Sequence, residues 1–291
     1  MKINSTKNEV STSVQLKSTV AEHPSSQDNL QSENSSLLSS NEDILTLSED
    51  AIKAFFENQA STQGKTIVEA KINYTRFIPS NENTTSTFEV NSPEVLDVQG
   101  FKNKLYDSES DDLLYVKGTS NQLNSEQGND ELFVVGDKNK ITGGDNNLKA
   151  TVLGDSNQIT ISGSGALTAI LSGINTITTD KGTDSIILDG KRNTISTGDG
   201  ADTIVIYGKE HLVNSGEGND TIEVTGKSFS ISAGTGDDTI AINGSGKING
   251  DEGNDTIDVT GEGNKVYGGE GDDIIKFTSA KNFINGGGGN D

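Results

Sequence analysis

The chain of 291 residues has no cysteine, which excludes disulfides and thiolate metal sites alike. It has no tryptophan, only 5% aromatic residues and only 30% apolar ones, poor material for one large globular core. No apolar run approaches the ~20 residues of a membrane-spanning helix. The N-terminus, M-K-I-N-S-T-K-N-E-V, lacks the hydrophobic stretch of a cleavable signal peptide. These absences leave a cytosolic protein, or one exported by a route that does not read the N-terminus. Bases are also scarce: 22 Lys and Arg stand against 44 Asp and Glu, a net charge of −22. That sign disfavours nucleic acid and anionic membrane surfaces as partners. Histidine occurs only as His23 and His211, and neither H-E-x-x-H nor G-x-S-x-G is present. The usual zinc protease and lipase readings are thereby removed, and no enzyme is expected in this stretch.

Glycine is plentiful, and it is ordered. From Asp184 onward the chain reads G-T-D, G-D-G-A-D, G-E-G-N-D, G-T-G-D-D, G-N-D, G-E-G-D-D and G-G-G-G-N-D. The acidic anchors are Asp184, Asp202, Asp220, Asp238, Asp255, Asp273 and Asp291, spaced 18, 18, 18, 17, 18 and 18 residues apart. A fixed period of this size marks a stacked repeat architecture. Counting back by 18 lands on Ala166, Leu148, Asp130, Asp112 and Glu94. Two and four residues after the anchors stand apolar pairs such as Leu132/Val134, Ile204/Ile206 and Ile222/Val224, and this frame predicts Thr168/Ile170 for the Ala166 coil. A second apolar row follows once per period, including Ile141, Ile177, Val213 and Val266. Alternation of period 2 marks strands with one buried face. Each period therefore holds two short strands and two turns. The predicted fold is all-β, a parallel β-roll or β-solenoid with about 18 residues per coil, its ten or eleven coils spanning roughly 50 Å.

Four segments follow. Residues 1–41, with eleven serines in the first forty positions, are predicted to be a disordered tail. Residues 42–90 are read as a cap, with an amphipathic helix at about 48–58 and a strand at 65–78 covering an open solenoid end. Residues 91–179 are degenerate coils, and 180–291 are the regular ones. On the second edge the motif is G-x-x-N, as in Gly118/Asn121 and Gly136/Asn139. Asparagine there is read as structural, since it tolerates left-handed turns and can bond to the neighbouring coil.

The glycine-acidic edge carries the chemistry. Between Asp184 and Asp291 there are 19 acids and 8 bases, and stacked like charges repel unless cations lie between them. Calcium takes six to eight oxygens from carboxylates and backbone carbonyls, and a G-x-G-x-D turn supplies both. Paired turns predict Asp202, Gly216, Gly218, Asp220, Gly234, Gly236, Asp238, Gly250, Gly253, Asp255, Gly269, Gly271, Asp273 and Asp291 as Ca2+ ligands.

The stretch G-G-E-G-D-D-I-I-K from Gly268, with S-G-E-G-N-D-T-I-E from Ser215, A-G-T-G-D-D-T-I-A from Ala233 and G-D-E-G-N-D-T-I-D from Gly250, resembles the nonapeptide G-G-x-G-x-D-x-U-x of RTX (hemolysin-type) proteins. The resemblance is good over about 180–291 and faint over 90–180. It implies a parallel β-roll with calcium between turns, secretion by a type I system and folding on external calcium. The chain departs from the pattern because alternate nonapeptides end in Asn193, His211, Phe229 or Asn264, so calcium is expected along one edge only. Leu148 and Ala166 are expected to interrupt the ion ladder. Because the chain stops at Asp291 within a repeat, it is expected to be a fragment, with any secretion signal and any cell-surface or host partner's binding region outside it. Two other readings stay open: an adhesin or surface-layer rod in which calcium is only structural, and an ice-binding face along Thr203, Thr221, Thr239 and Thr256.

Overall fold

The computed structural model describes residues 87–89, 95–106, 109–125 and 127–291. The predicted tail, the helix at 48–58 and the strand at 65–78 lie outside these residues. The described chain is an all-β parallel solenoid of about ten coils with roughly 18 residues each. Every strand pairs in parallel with its equivalent one coil on. Thr203–Lys209 lies beside Ser185–Lys191 on one side and Thr221–Thr235 on the other. The second strand of each coil does the same, Leu212–Glu217 pairing with the later half of Thr221–Thr235. Two parallel faces result, joined by two edges of stacked turns.

Alternation sets what each face buries. Ile204, Ile206 and Val213 from one coil, and Ile222, Val224 and Ile231 from the next, turn inward and are essentially solvent-free. Each such side chain contributes about 1.5–3 kcal/mol relative to exposure. The core is thus a narrow column, and its strength comes from repetition.

On the second edge the asparagines form a ladder inside the turn. The backbone N–H of Asn103 donates to Oδ1 of Asn121 (2.9 Å), Asn121 N–H to Asn139 (2.9 Å), Asn139 N–H to Asn157 (2.8 Å) and Asn157 N–H to Asn175 (3.1 Å). The amide nitrogen is used too: Nδ2 of Asn139 donates to the carbonyl of Gly118 (3.0 Å) and to Oδ1 of Asn157 (3.2 Å). His211 and Phe229 replace asparagine further along, and the ladder resumes where Gly246 N–H donates to Asn264 Oδ1 (2.8 Å). Phe229 fits because its neighbour is glycine. A Cβ on Gly246 would sit 2.3 Å from the ring, at the point where the strand register shifts. Asn139→Ala is expected to cost about 1–3 kcal/mol, since it strips buried backbone groups of their partners, while leaving calcium stoichiometry unchanged. Denaturant melts and calorimetry on the variant check both parts.

One expectation from counting is corrected. Leu148 pairs with Leu167, not Ala166, and Leu167 N–H donates to Oδ1 of Asp184 (2.6 Å). The coil after Leu148 therefore carries an extra residue, taken up in the turn S-G-S-G-A, and the following coil is one short. Because side chains alternate, a one-residue slip exchanges the two faces. Ala169 and Leu171 are buried in place of Thr168 and Ile170, and Ile170 is 51% exposed.

Candidate metal centre

The acidic edge is built with the same device as the asparagine edge. Asp184 N–H donates to Oδ1 of Asp202 (2.8 Å), and the chain of bonds continues through Asp220 (2.8 Å), Asp238 (2.7 Å), Asp255 (2.9 Å), Asp273 (2.9 Å) and Asp291 (3.1 Å). Each carboxyl thus lies inside the turn. Asp202, Asp220, Asp238 and Asp255 are 1% exposed and Asp273 is 3%, whereas Asp291 on the last coil is exposed.

The glycines expected beside them fall into rows. Gly216, Gly234 and Gly269 share one row, with Asp251 filling that place in the intervening coil at φ +77°. Gly250 sits one residue earlier, between the pairs Asn249–Tyr267 and Asp251–Gly269, and so stacks on Gly268. A second row runs through Gly218, Gly236, Gly253 and Gly271, each turned so that the carbonyl of the preceding coil's glycine abuts its Cα. These carbonyls line the same edge as the carboxyls. Asp251 was not anticipated as part of the site. Its Oδ2 accepts from Ser232 Oγ and its Oδ1 from Asn249 Nδ2, and its charge bears on Asp255.

The second oxygen of each buried carboxyl is the unusual feature. Where asparagine carries an NH2 donor, aspartate has only lone pairs. Oδ2 of Asp238, Asp255 and Asp273 is buried and has no hydrogen-bond partner, and the carboxyls of Asp202 and Asp220 have, apart from the backbone bond at Oδ1, only the hydroxyls of Thr197 and Ser215 beside them. A buried acceptor without a donor is costly, and a charged one more so. Asp130 and Asp184 differ, since their Oδ2 atoms accept from Ser125 Oγ (2.6 Å) and Thr179 Oγ1 (2.5 Å).

Burial governs how these carboxyls titrate, satisfied or not. Burial pushes Asp238 up to about 7, against the pull of the Asp220–Asp238 backbone bond and with help from the charges of Asp220, Asp255 and Asp237. Burial likewise raises Asp184, Asp220 and Asp255 to about 6 and moves Asp202 and Asp273 upward. A folded-state value above the unfolded one means that protonation favours the fold. Stability from this source is complete below the unfolded carboxyl value of about 3.9 and is lost as pH rises through about 6 to 7. The metal-free protein is therefore expected to melt at progressively lower temperature across that window. Thermal melts in chelator would contradict this with a flat or rising profile.

One bare carboxyl oxygen per coil and a row of carbonyls along the same edge suit a hard, oxygen-seeking cation. Among the described residues no three acidic or histidine side chains are gathered closely enough to hold a metal by themselves, so an ion between coils would draw on backbone oxygens as well. The residues present fit calcium on those terms. The threonines considered for ice binding do stack in register, Thr203 on Thr221, Thr239 and Thr256. Their neighbouring outward row is Val205, Glu223, Ala241 and Asp258, which interrupts any flat, uncharged face. Comparison with family models, curated proteins and solved structures found no match to this chain.

Proposed function

We propose that residues 180–291 are a calcium-binding module that works outside the cell and is stabilised by ions held between coils of its acidic edge. The observation that carries this reading is the row of buried Oδ2 atoms without donors at Asp238, Asp255 and Asp273. A proton can satisfy such a row in acid, and a cation would do so above the carboxyls' raised titration range. Carboxylates of the Asp row would hold the ion together with carbonyls from the turns at Gly216/Gly218, Gly234/Gly236, Gly250/Gly253 and Gly269/Gly271. The bound ion would supply positive charge and stacking stiffness. Irregular backbone cages of this kind suit calcium better than magnesium, which demands rigid octahedral geometry and keeps its waters. The resemblance to RTX repeats supports the same ion and adds secretion by a type I system.

Isothermal calorimetry of the chain with calcium and with magnesium tests the proposal, together with Asp255→Asn. Calcium is expected to bind in the range of extracellular modules, about 10⁻⁴–10⁻³ M or tighter, and magnesium poorly. Asp255→Asn places a donor where the bare oxygen stands. It should lower calcium stoichiometry yet raise stability in chelator by about 1–3 kcal/mol. A variant that binds as much calcium as the parent, or melts lower than it in chelator, would refute the reading.

A further inference from the structure

Five residues before the anchors stand Ser125, Thr179, Thr197, Ser215, Ala233, Gly250, Gly268 and Gly286. The first four carry hydroxyls and the last three have no side chain. We infer that this position decides which coils take an ion, a hydroxyl closing the site and glycine opening it, so that calcium sits at Asp255 and Asp273 and not along the whole ladder. The inference rests on the calcium reading and sharpens it.

The hydroxyls occupy one volume, between the anchor carboxyl and a carbonyl of the following coil. Thr179 Oγ1 lies 2.5 Å from Asp184 Oδ2 and 2.5 Å from the carbonyl of Thr197. Thr197 Oγ1 donates to the carbonyl of Ser215 (2.9 Å), and Ser215 Oγ to that of Ala233 (2.6 Å). In these coils a hydroxyl fills the gap and engages a carbonyl that an ion would need. At Gly250 no side chain stands in that place, and two oxygens crowd it instead. A Cβ there would stand 2.1 Å from Asp255 Oδ2 and 2.3 Å from the carbonyl oxygen of Gly268. At Gly268 the corresponding values are 2.2 Å to Asp273 Oδ2 and 2.3 Å to the carbonyl oxygen of Gly286. Two oxygens thus face one small space, and the carboxyl oxygen of each pair is buried and has no donor. Lone pairs facing each other across a buried gap repel, and a cation there reverses the sign. Ala233, with a methyl group, leaves the Asp238 coil between the two classes. Asp202 and Asp220 are closed by the hydroxyls of Thr197 and Ser215.

The test is calcium calorimetry on the full chain and on two variants, with circular dichroism to establish that each folds in calcium. Ser215→Gly should open the Asp220 coil and add one calcium per chain. Gly268→Ser should close the Asp273 coil and remove one. Should Gly268→Ser lose the parental dichroism, the Ser215→Gly titration decides alone. Calcium binding by the parent with unchanged stoichiometry in Ser215→Gly would overturn the gate and leave the calcium reading standing. No binding by the parent would overturn both.

Discussion

Chelating calcium at neutral pH is expected to strip most β-structure from residues 198–291 while the coils between residues 109 and 179 keep theirs. The asymmetry follows from where the uncompensated charge lies. In the earlier coils Leu148 and Leu167 occupy the anchor row, and Asp130 is satisfied by Ser125. In the later coils every anchor is acidic, and three successive anchors, Asp238, Asp255 and Asp273, have a bare buried oxygen. A ligand at a hundred times its dissociation constant stabilises by about 2.7 kcal/mol. Two or three such sites would therefore match the ~5–15 kcal/mol net stability of an ordinary domain. Hydrogen exchange read residue by residue, in chelator and in millimolar calcium, checks this. Restoring the signal in chelator by acidification below about pH 4 is the companion result, since protons then do what the ions do. Equal protection of both halves without calcium, at neutral pH, would rule the account out.

The second large effect concerns the turn glycines, which are needed whether or not an ion is bound. Gly218 has φ +126°, and a Cβ on it would stand 1.8 Å from the carbonyl oxygen of Gly200. That neighbour is backbone, so it can yield only if the coils separate. Gly218→Ala is expected to cost roughly 3 kcal/mol or more, from left-handed strain and the clash together. Gly263 is the control. It too has positive φ, +79°, but a Cβ there meets nothing within 4 Å. Gly263→Ala should cost only the backbone term of about 1–2 kcal/mol. Urea midpoints for the two variants measured in saturating calcium check the contrast, and similar losses at both would show that coil-to-coil contact is not what fixes glycine at 218.

The amino-acid sequence alone determined the period, the parallel coil, the inward rows and the acidic edge. These are legible because each is a local regularity: period 2 within a strand and a glycine-acid turn every 18 residues both survive many substitutions. What counting could not decide was the slip after Leu148. Between Ala166 and Leu171 apolar residues stand at both odd and even positions, so either face could have been the buried one. The bond from Leu167 N–H to Asp184 selects the register. The coil that begins at Gly250 was ambiguous for a related reason, since only strand pairing shows Asp251 standing in the glycine row. The hydroxyls at Thr179, Thr197 and Ser215 read as ordinary strand residues. Their meaning depends on a carboxyl five residues on and a carbonyl 18 residues on. Only the stacking of coils brings those two acceptors to the same side chain, so the tertiary structure alone decides which carboxyls are satisfied and which stay bare.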